Sequence, residues 1–322
     1  MRSAFVRTDS PNPHVRRGRE ILRLHPELRR YFTPYPLSGA WIVAIVGAQL
    51  GVAYLLRDAS WIWVILCAYL VGAFGSHALF VLIHEATHDL IVRGPVANRL
   101  FGILCNVGQG FPSAMSFRTF HRLHHSHLDE YYYDGDLPFQ IEARWVGDRP
   151  LRKAVWLFLF SFIQVLRPLR LKRSYADVWI VSNTLVILLT DLLVYLSFGI
   201  RGLGYVILST VFGIGLHPLG ARWVQEHYTF HEGQETFSYY GVLNTPNFNI
   251  GYHNEHHDLV GVPWIHLPKV KAAAPEFYDH LRWHRSLTRV LWRFLFDPKL
   301  DLFARITRER TRARAARTAA AA

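Results

Sequence analysis

The residues from Trp61 to Ile83 contain no Asp, Glu, Lys or Arg. A helix of about 20 apolar residues crosses about 30 Å of hydrocarbon. Such a run must be buried in a large core or lie in a bilayer. Three further runs favour the bilayer: Ala40 to Leu56, Val178 to Phe198, and Leu203 to about Trp223. The connections Arg57 to Ser60 and Gly199 to Gly202 are short, so the runs predict two tight hairpins.

The remaining segments are long and basic. They comprise 1–39, 84–177 and 224–322, in a chain of 322 residues with net charge +12. Lys and Arg concentrate in cytoplasmic loops of membrane proteins, which predicts that all three segments face the cytoplasm. The expected fold is therefore an all-α integral membrane protein. Four transmembrane helices in two hairpins (40–83 and 178–223) carry a cytoplasmic helical cap, within a single domain spanning 1–322. The arginines flank apolar spans, so anionic lipid explains the charge better than nucleic acid, and no nucleic-acid partner is expected. Leu100 to Phe111 and Ala154 to Leu166 are apolar but short. They read as interfacial or re-entrant helices, with packed cytoplasmic helices as the equal alternative. The Arg- and Ala-rich tail from Arg305 to Ala322 reads as a basic helix near the lipid surface. Cys67 and Cys105 sit in apolar surroundings and read as packed thiols, neither a disulfide framework nor a zinc site. The residues before the first span lack the apolar core of a secretory signal, and Arg2 after Met1 is incompatible with N-myristoylation.

The 18 histidines are not scattered. His84 and His88 end the second span as H-x-x-x-H. His121, His124 and His125 form H-x-x-H-H, and His253, His256 and His257 repeat it. On a helix, positions i, i+3 and i+4 share a face, so each box aims its imidazoles at one point. Eight such rings exceed what one tetrahedral zinc uses, and two ions sharing the rings fit better. Imidazole alone does not choose the metal. A site at the bilayer surface facing acyl chains suits O₂ chemistry on C–H bonds, which zinc does not support, so iron is inferred. Glu85 and Glu255 lie off the ligand faces, about 100° and 200° around their helices. They are expected to orient ligand rings rather than bind metal.

His227 follows the fourth span and is a candidate ninth ligand. His217, deeper in that span, is the competing candidate, or meets a polar lipid group. His77 lies seven residues before His84 and about 10 Å deeper. It would contact substrate or make a hydrogen bond between helices. Glu226 and Asn254, beside His227 and His253, are further supporting candidates. His14, His25, His127, His231, His266, His280 and His284 are read as ordinary histidines. No catalytic side chain apart from the metal ligands is assigned, and no organic-cofactor motif.

Two other readings compete. His84-Glu85-Ala86-Thr87-His88 fits the zinc-protease signature with Glu85 as general base, but leaves both H-x-x-H-H boxes without a task. A metal transporter would use the histidines as a relay. It would need polar residues deep in several spans, and the first and third offer few: Gln49, Ser182, Asn183, Thr184 and Asp191.

The three boxes resemble those of the membrane fatty-acid desaturase and hydroxylase superfamily. His217-Pro218, Glu226-His227-Tyr228, GQETFSYYGVLN (Gly233 to Asn244) and FNIGYHNEHHD (Phe248 to Asp258) narrow the likeness. They resemble the sphingolipid Δ4-desaturases, as does PHVRRGREILRLHPEL (Pro13 to Leu28). The resemblance implies a di-iron centre held by His84, His88, His121, His124, His125, His253, His256 and His257. It also implies O₂ as co-substrate and electrons from a donor such as cytochrome b5 or a ferredoxin and its reductase. His227 matches a ninth ligand of related enzymes, but Trp223 stands four residues before it where they have Asn. The implied reaction places a trans 4,5 double bond in the long-chain base of dihydroceramide. C4 hydroxylation, or desaturation of a fatty acyl chain, is the alternative outcome. The implied location is the endoplasmic reticulum in a eukaryote or the inner membrane in a bacterium, with the site on the cytoplasmic face.

Overall fold

A computed structural model describes residues 2–171 and 177–308. Strand β1 (Val6–Thr8) precedes helix α1 (Pro13–Leu24), whose first turn starts at Asn12. The Asn12 side chain accepts from the His14 N–H, capping the helix. Among the described residues, three helices are long and apolar enough to cross a membrane: α2 (Leu37–Leu55), α3 (Trp61–Thr87) and, later in the chain, Val178–Ile214. Between them lie α4 (Pro95–Val107), α5 (Ala114–Ser126) and short helices from 140 to 166. Val178–Ile214 is α6, followed by the single turn α7 (Arg222–Gln225) and by α8 (His253–Asp258).

Helix α6 breaks at Gly199, where φ is 67° and ψ is −176°. Glycine adopts such angles at little steric cost. Gly110 shows what the break does: a Cβ there would meet Ile207 at 2.7 Å and Asp191 at 3.2 Å. Those two residues would lie about 24 Å apart on a straight helix. Asn183 likewise donates to Asn106 at 3.0 Å while Thr210 donates to the Gln109 carbonyl at 2.7 Å. The chain thus bends back on itself at Gly199. Its outer face is apolar and exposed, with Leu185, Leu189, Leu192 and Leu196 each more than half accessible.

The inner face is polar and bonded between helices. Gln49 donates to the Gly72 carbonyl and to Ser76, and accepts from Tyr205 at 2.8 Å. Gly72 closes a π turn, Ala68–Gly72, inside α3. Small residues let these helices approach closely, as membrane helices require. A Cβ on Gly213 would lie 2.5 Å from the Ala73 carbonyl oxygen. Gly213→Val is therefore expected to force the helices apart and destabilise the protein by about 1–3 kcal/mol. A melting curve in detergent checks this, and an unchanged midpoint would contradict the packing described.

The expected fourth span does not extend to Trp223. Helix α6 ends at Ile214, followed by turns through Ala221. Gly215 leaves the helical region, with φ −107° and ψ −122°, and Pro218 lacks the N–H that a continuing helix would need. The short apolar segments are helical as expected but shifted. Leu100 to Phe111 falls on α4, ending at Val107, and Ala154 to Leu166 is split in two at Leu159. Cys67 and Cys105 are free thiols. Most of the expected tail helix, from residue 309, lies outside the described residues. Its first part is not helical: strand β2 (Ile306–Arg308) pairs in parallel with β1.

Candidate metal centre

The three boxes meet because each is anchored to another element. The last carbonyls of α3, the negative end of its dipole, accept from arginines of α5. Arg118 bonds the Ala86 and Thr87 carbonyls at 2.6 and 2.9 Å, and Arg122 bonds Thr87 at 2.8 Å. Both arginines also pair with Asp89. The first box is thereby tied to the helix that carries the second. Helix α8 is held from outside: Asn254 accepts from Thr236 and Arg17, and Asp258 binds Arg17 at 2.6 Å and His14 at 2.7 Å. Beneath the boxes, Phe80, Phe117, Phe160 and Trp223 pack edge-to-face or tilted, at centroid distances of 4.8–5.1 Å.

Two groups of imidazoles result. His84, His88, His121, His125 and His256 place their nearest ring nitrogens within 4.8 Å of one another, as do His124, His227 and His257. His253 joins the second group through His227, Nε2 to Nε2 at 2.9 Å. Other Nε2 pairs are as close: His121 to His125 at 3.0 Å, His125 to His256 at 3.1 Å and His124 to His227 at 3.2 Å. The groups adjoin, with the His125 and His257 rings 4.3 Å apart.

This donor set fits metal ions. Nitrogens about 2.0–2.1 Å from one ion stand about 3 Å apart at right angles, the spacing found here. Burial holds His121, His125, His256 and His257 well below the ordinary histidine range, so the rings stay neutral with lone pairs free. His88 Nε2 and His257 Nε2 are buried without a hydrogen-bond partner among the described residues. Five rings in one group exceed a tetrahedral zinc site, which argues against the zinc-protease reading.

The fatty acid desaturase family model matches residues 59–289. The chain belongs to that family. It is 39% identical to a DES1-like sphingolipid delta(4)-desaturase of Oryza sativa subsp. japonica, over 96% of this chain and 94% of that one. It is 39% identical to a sphingolipid delta(4)-desaturase/C4-monooxygenase of Bos taurus, and 38% to that of Homo sapiens, each over 95% of both chains. The protein is thus a membrane oxidoreductase of the desaturase type, close in sequence to sphingolipid delta(4)-desaturases.

The residues around the desaturase's histidines depart from expectation in several places. Among the described residues, Glu255 bonds no histidine. Its carboxylate accepts from Ser238 at 2.9 Å and Tyr240 at 2.5 Å, and burial pushes it up to about 7. Glu85 accepts from the Trp264 N–H at 3.0 Å, leaving His84 Nδ1 3.7 Å away, too far for a hydrogen bond. Glu226 accepts from Arg222 at 2.6 Å and lies 3.5 Å from His253 Nδ1. Asn254 braces α8 and touches no histidine nitrogen among the bonds described above. His77 bonds the Gly213 carbonyl at 2.9 Å, which makes it a link between helices rather than a substrate contact. His217 accepts from the Leu219 N–H and packs on Tyr69 and Phe74, apart from both groups.

Two supporting residues were not singled out from the sequence. Asp134 accepts from His124 Nδ1 at 2.9 Å, and is fixed by the Asp129 and Asp136 N–H groups. Burial works against its charge, but His124, Arg305 and the Asp129 N–H together hold the carboxyl well below the usual range. The bond commits Nδ1–H to Asp134 and turns the Nε2 lone pair toward His227. His14 packs 4.8 Å from the His257 ring while bonding Asp258. The Y-Y-Y-D-G-D turn signals Asp134 only as a turn residue, and nothing local marks His14. Asp134→Asn is expected to lower lipid product about 10–100-fold with weaker iron retention. Metal analysis with lipid mass spectrometry checks this; unaltered iron and product would contradict it.

Proposed function

We propose that the protein is an O₂-dependent di-iron sphingolipid desaturase. It would introduce a trans 4,5 double bond into the long-chain base of dihydroceramide, giving ceramide. One observation carries the reading: two adjoining histidine groups flank a single buried cavity, in a chain similar end to end to relatives named for this reaction. His84, His88, His121, His125 and His256 would hold one iron, and His124, His227, His253 and His257 the other. His227 rather than His217 is the ninth ligand in this reading.

Bound iron would supply the redox chemistry with O₂ that side chains lack. The lipid gives up two electrons and two protons. A donor gives two more electrons and solvent two more protons, and O₂ leaves as two waters. The chain's own part is positional. Asp134 and Glu226 face Nδ1 of His124 and His253, and the aromatic floor of Phe80, Phe117 and Trp223 keeps bulk water from the reacting carbons. We read the two halves of α6 as separate crossings, giving four spans in two hairpins within one domain. The basic segments and histidines then face the cytoplasm. Beyond His125 and His257 lies an open cavity of about 290 Å³ bordered by His14 and Arg19. The exposed Arg16, Arg19 and Arg23 of α1 surround that side, which suits approach by an acidic donor such as cytochrome b5 or a ferredoxin.

C4 hydroxylation is the second reading, favoured by the names of the cattle and human relatives. The transporter reading is disfavoured because Gln49, Asn183 and Thr210 are engaged in bonds between helices. Expression in cells that make dihydroceramide, with mass spectrometry of the long-chain bases, tests the proposal. New ceramide supports desaturation and new phytoceramide supports hydroxylation. Neither product, with iron and reductant supplied, would refute both.

A further inference from the structure

Arg222 and Trp223 stand out among the polar residues near the histidines. Arg222 is 4% exposed and donates through Nη1 to Glu226 at 2.6 Å. Its Nε and Nη2, and the Trp223 Nε1, are buried without a hydrogen-bond partner among the described residues. A buried donor left without a partner costs about 1–3 kcal/mol, more when charged. Three such donors on two consecutive residues mark a place for an acceptor. The guanidinium is also held rigid, 4.4 Å from the Trp223 ring and 5.4 Å from the Phe80 ring.

Both residues line a cavity of about 20 Å³ that also touches His84 and His121 of one group and His124 and His227 of the other. A single water needs roughly 10–15 Å³ by the same measure, so the space admits one oxygen-sized group. Glu226 balances the arginine, which makes the pair electrically neutral and suits a neutral oxygen better than an anion. The carboxylate also offers an acceptor for a hydroxyl proton.

The identity of that oxygen follows from substrate chemistry and rests on the dihydroceramide reading above. In that lipid C4 is bonded to C3, and C3 carries a hydroxyl. A pose that sets C4 and C5 beside the histidine groups leaves the C3 oxygen one carbon from C4, within reach of this small space. Buried among aromatic rings, it needs partners. We infer that Arg222, Trp223 and Glu226 form the subsite that receives the C3 hydroxyl of the sphingoid base, and that this contact sets the position of attack along the chain. A simple acyl chain has no oxygen there and would leave the three donors unmet.

The test compares dihydroceramide with its 3-deoxy analogue, using the full-length iron-loaded protein in lipid nanodiscs. Wild type is expected to favour the hydroxylated lipid roughly 10–100-fold in kcat/KM, the range of a hydrogen bond to a charged group. Arg222→Gln, which still donates to Glu226, should lose most of that preference. It should turn over dihydroceramide more slowly and the 3-deoxy lipid as before, with iron content unchanged. Trp223→Phe should shift the ratio the same way by less, and supplies the test if Arg222→Gln does not fold. Equilibrium binding of the two lipids to metal-free protein should show the same difference. Equal turnover of both lipids by wild type, or equal losses on both in the variants, would overturn the inference alone. No turnover of dihydroceramide by wild type would overturn the functional reading beneath it.

Discussion

His124→Ala is expected to abolish ceramide and phytoceramide formation, a loss beyond the roughly 10–100-fold caused by removing a residue that only orients a ligand. The expectation follows from where His124 sits. Its Nε2 is 3.2 Å from that of His227 while its Nδ1 is committed to Asp134. Truncation deletes a donor from the smaller group and also leaves Asp134 buried without its partner. That group has four rings when His253 is counted, so losing one leaves less in reserve than in the group of five. Product analysis in cells supplied with dihydroceramide reads the outcome. Retention of more than about a tenth of wild-type product would place the reaction elsewhere.

Arg305→Met is expected to destabilise the protein by about 3–5 kcal/mol, the range for leaving a buried charge without its partner. Arg305 is 2% exposed, lies 3.0 Å from Asp136 and 3.8 Å from Asp129, and stacks over Tyr228. Arg308 pairs with Asp129 at 2.7 Å and with Glu235. Without Arg305, three neighbouring aspartates crowd the turn behind His124. Burial already pushes Asp129 up to about 7, opposed chiefly by Arg305. The variant should melt well below wild type in detergent and lose iron from the His124 group first. A melting point within a degree or two of wild type would show that the Arg305 ion pairs are dispensable.

The histidine boxes could be read from sequence because their logic is local. Spacings of three and four residues put rings on one face whatever the rest of the chain does. The long apolar runs were legible for the same reason, since length and composition alone license a span. The end of the fourth run was misread because apolar residues continue through Leu219 and Trp223. The decisive signals were backbone ones, at Gly215 and Pro218. The supports of the site were illegible for a different reason. Asp134 meets His124 from a turn ten residues away, and His14 meets Asp258 from 244 residues away. No helical spacing encodes either contact. Glu255 was assigned the wrong partner because its angle around the helix excluded metal binding without naming Ser238 or Tyr240 as the alternative.

The central claim is that nine imidazoles hold two irons. Metal content of the full-length protein, purified anaerobically and measured by inductively coupled plasma mass spectrometry, tests it most directly. Two irons per chain are expected, falling toward one in His227→Ala as the His124 group empties. A single metal ion per chain, zinc in place of iron, or an iron content indifferent to His227 would contradict it.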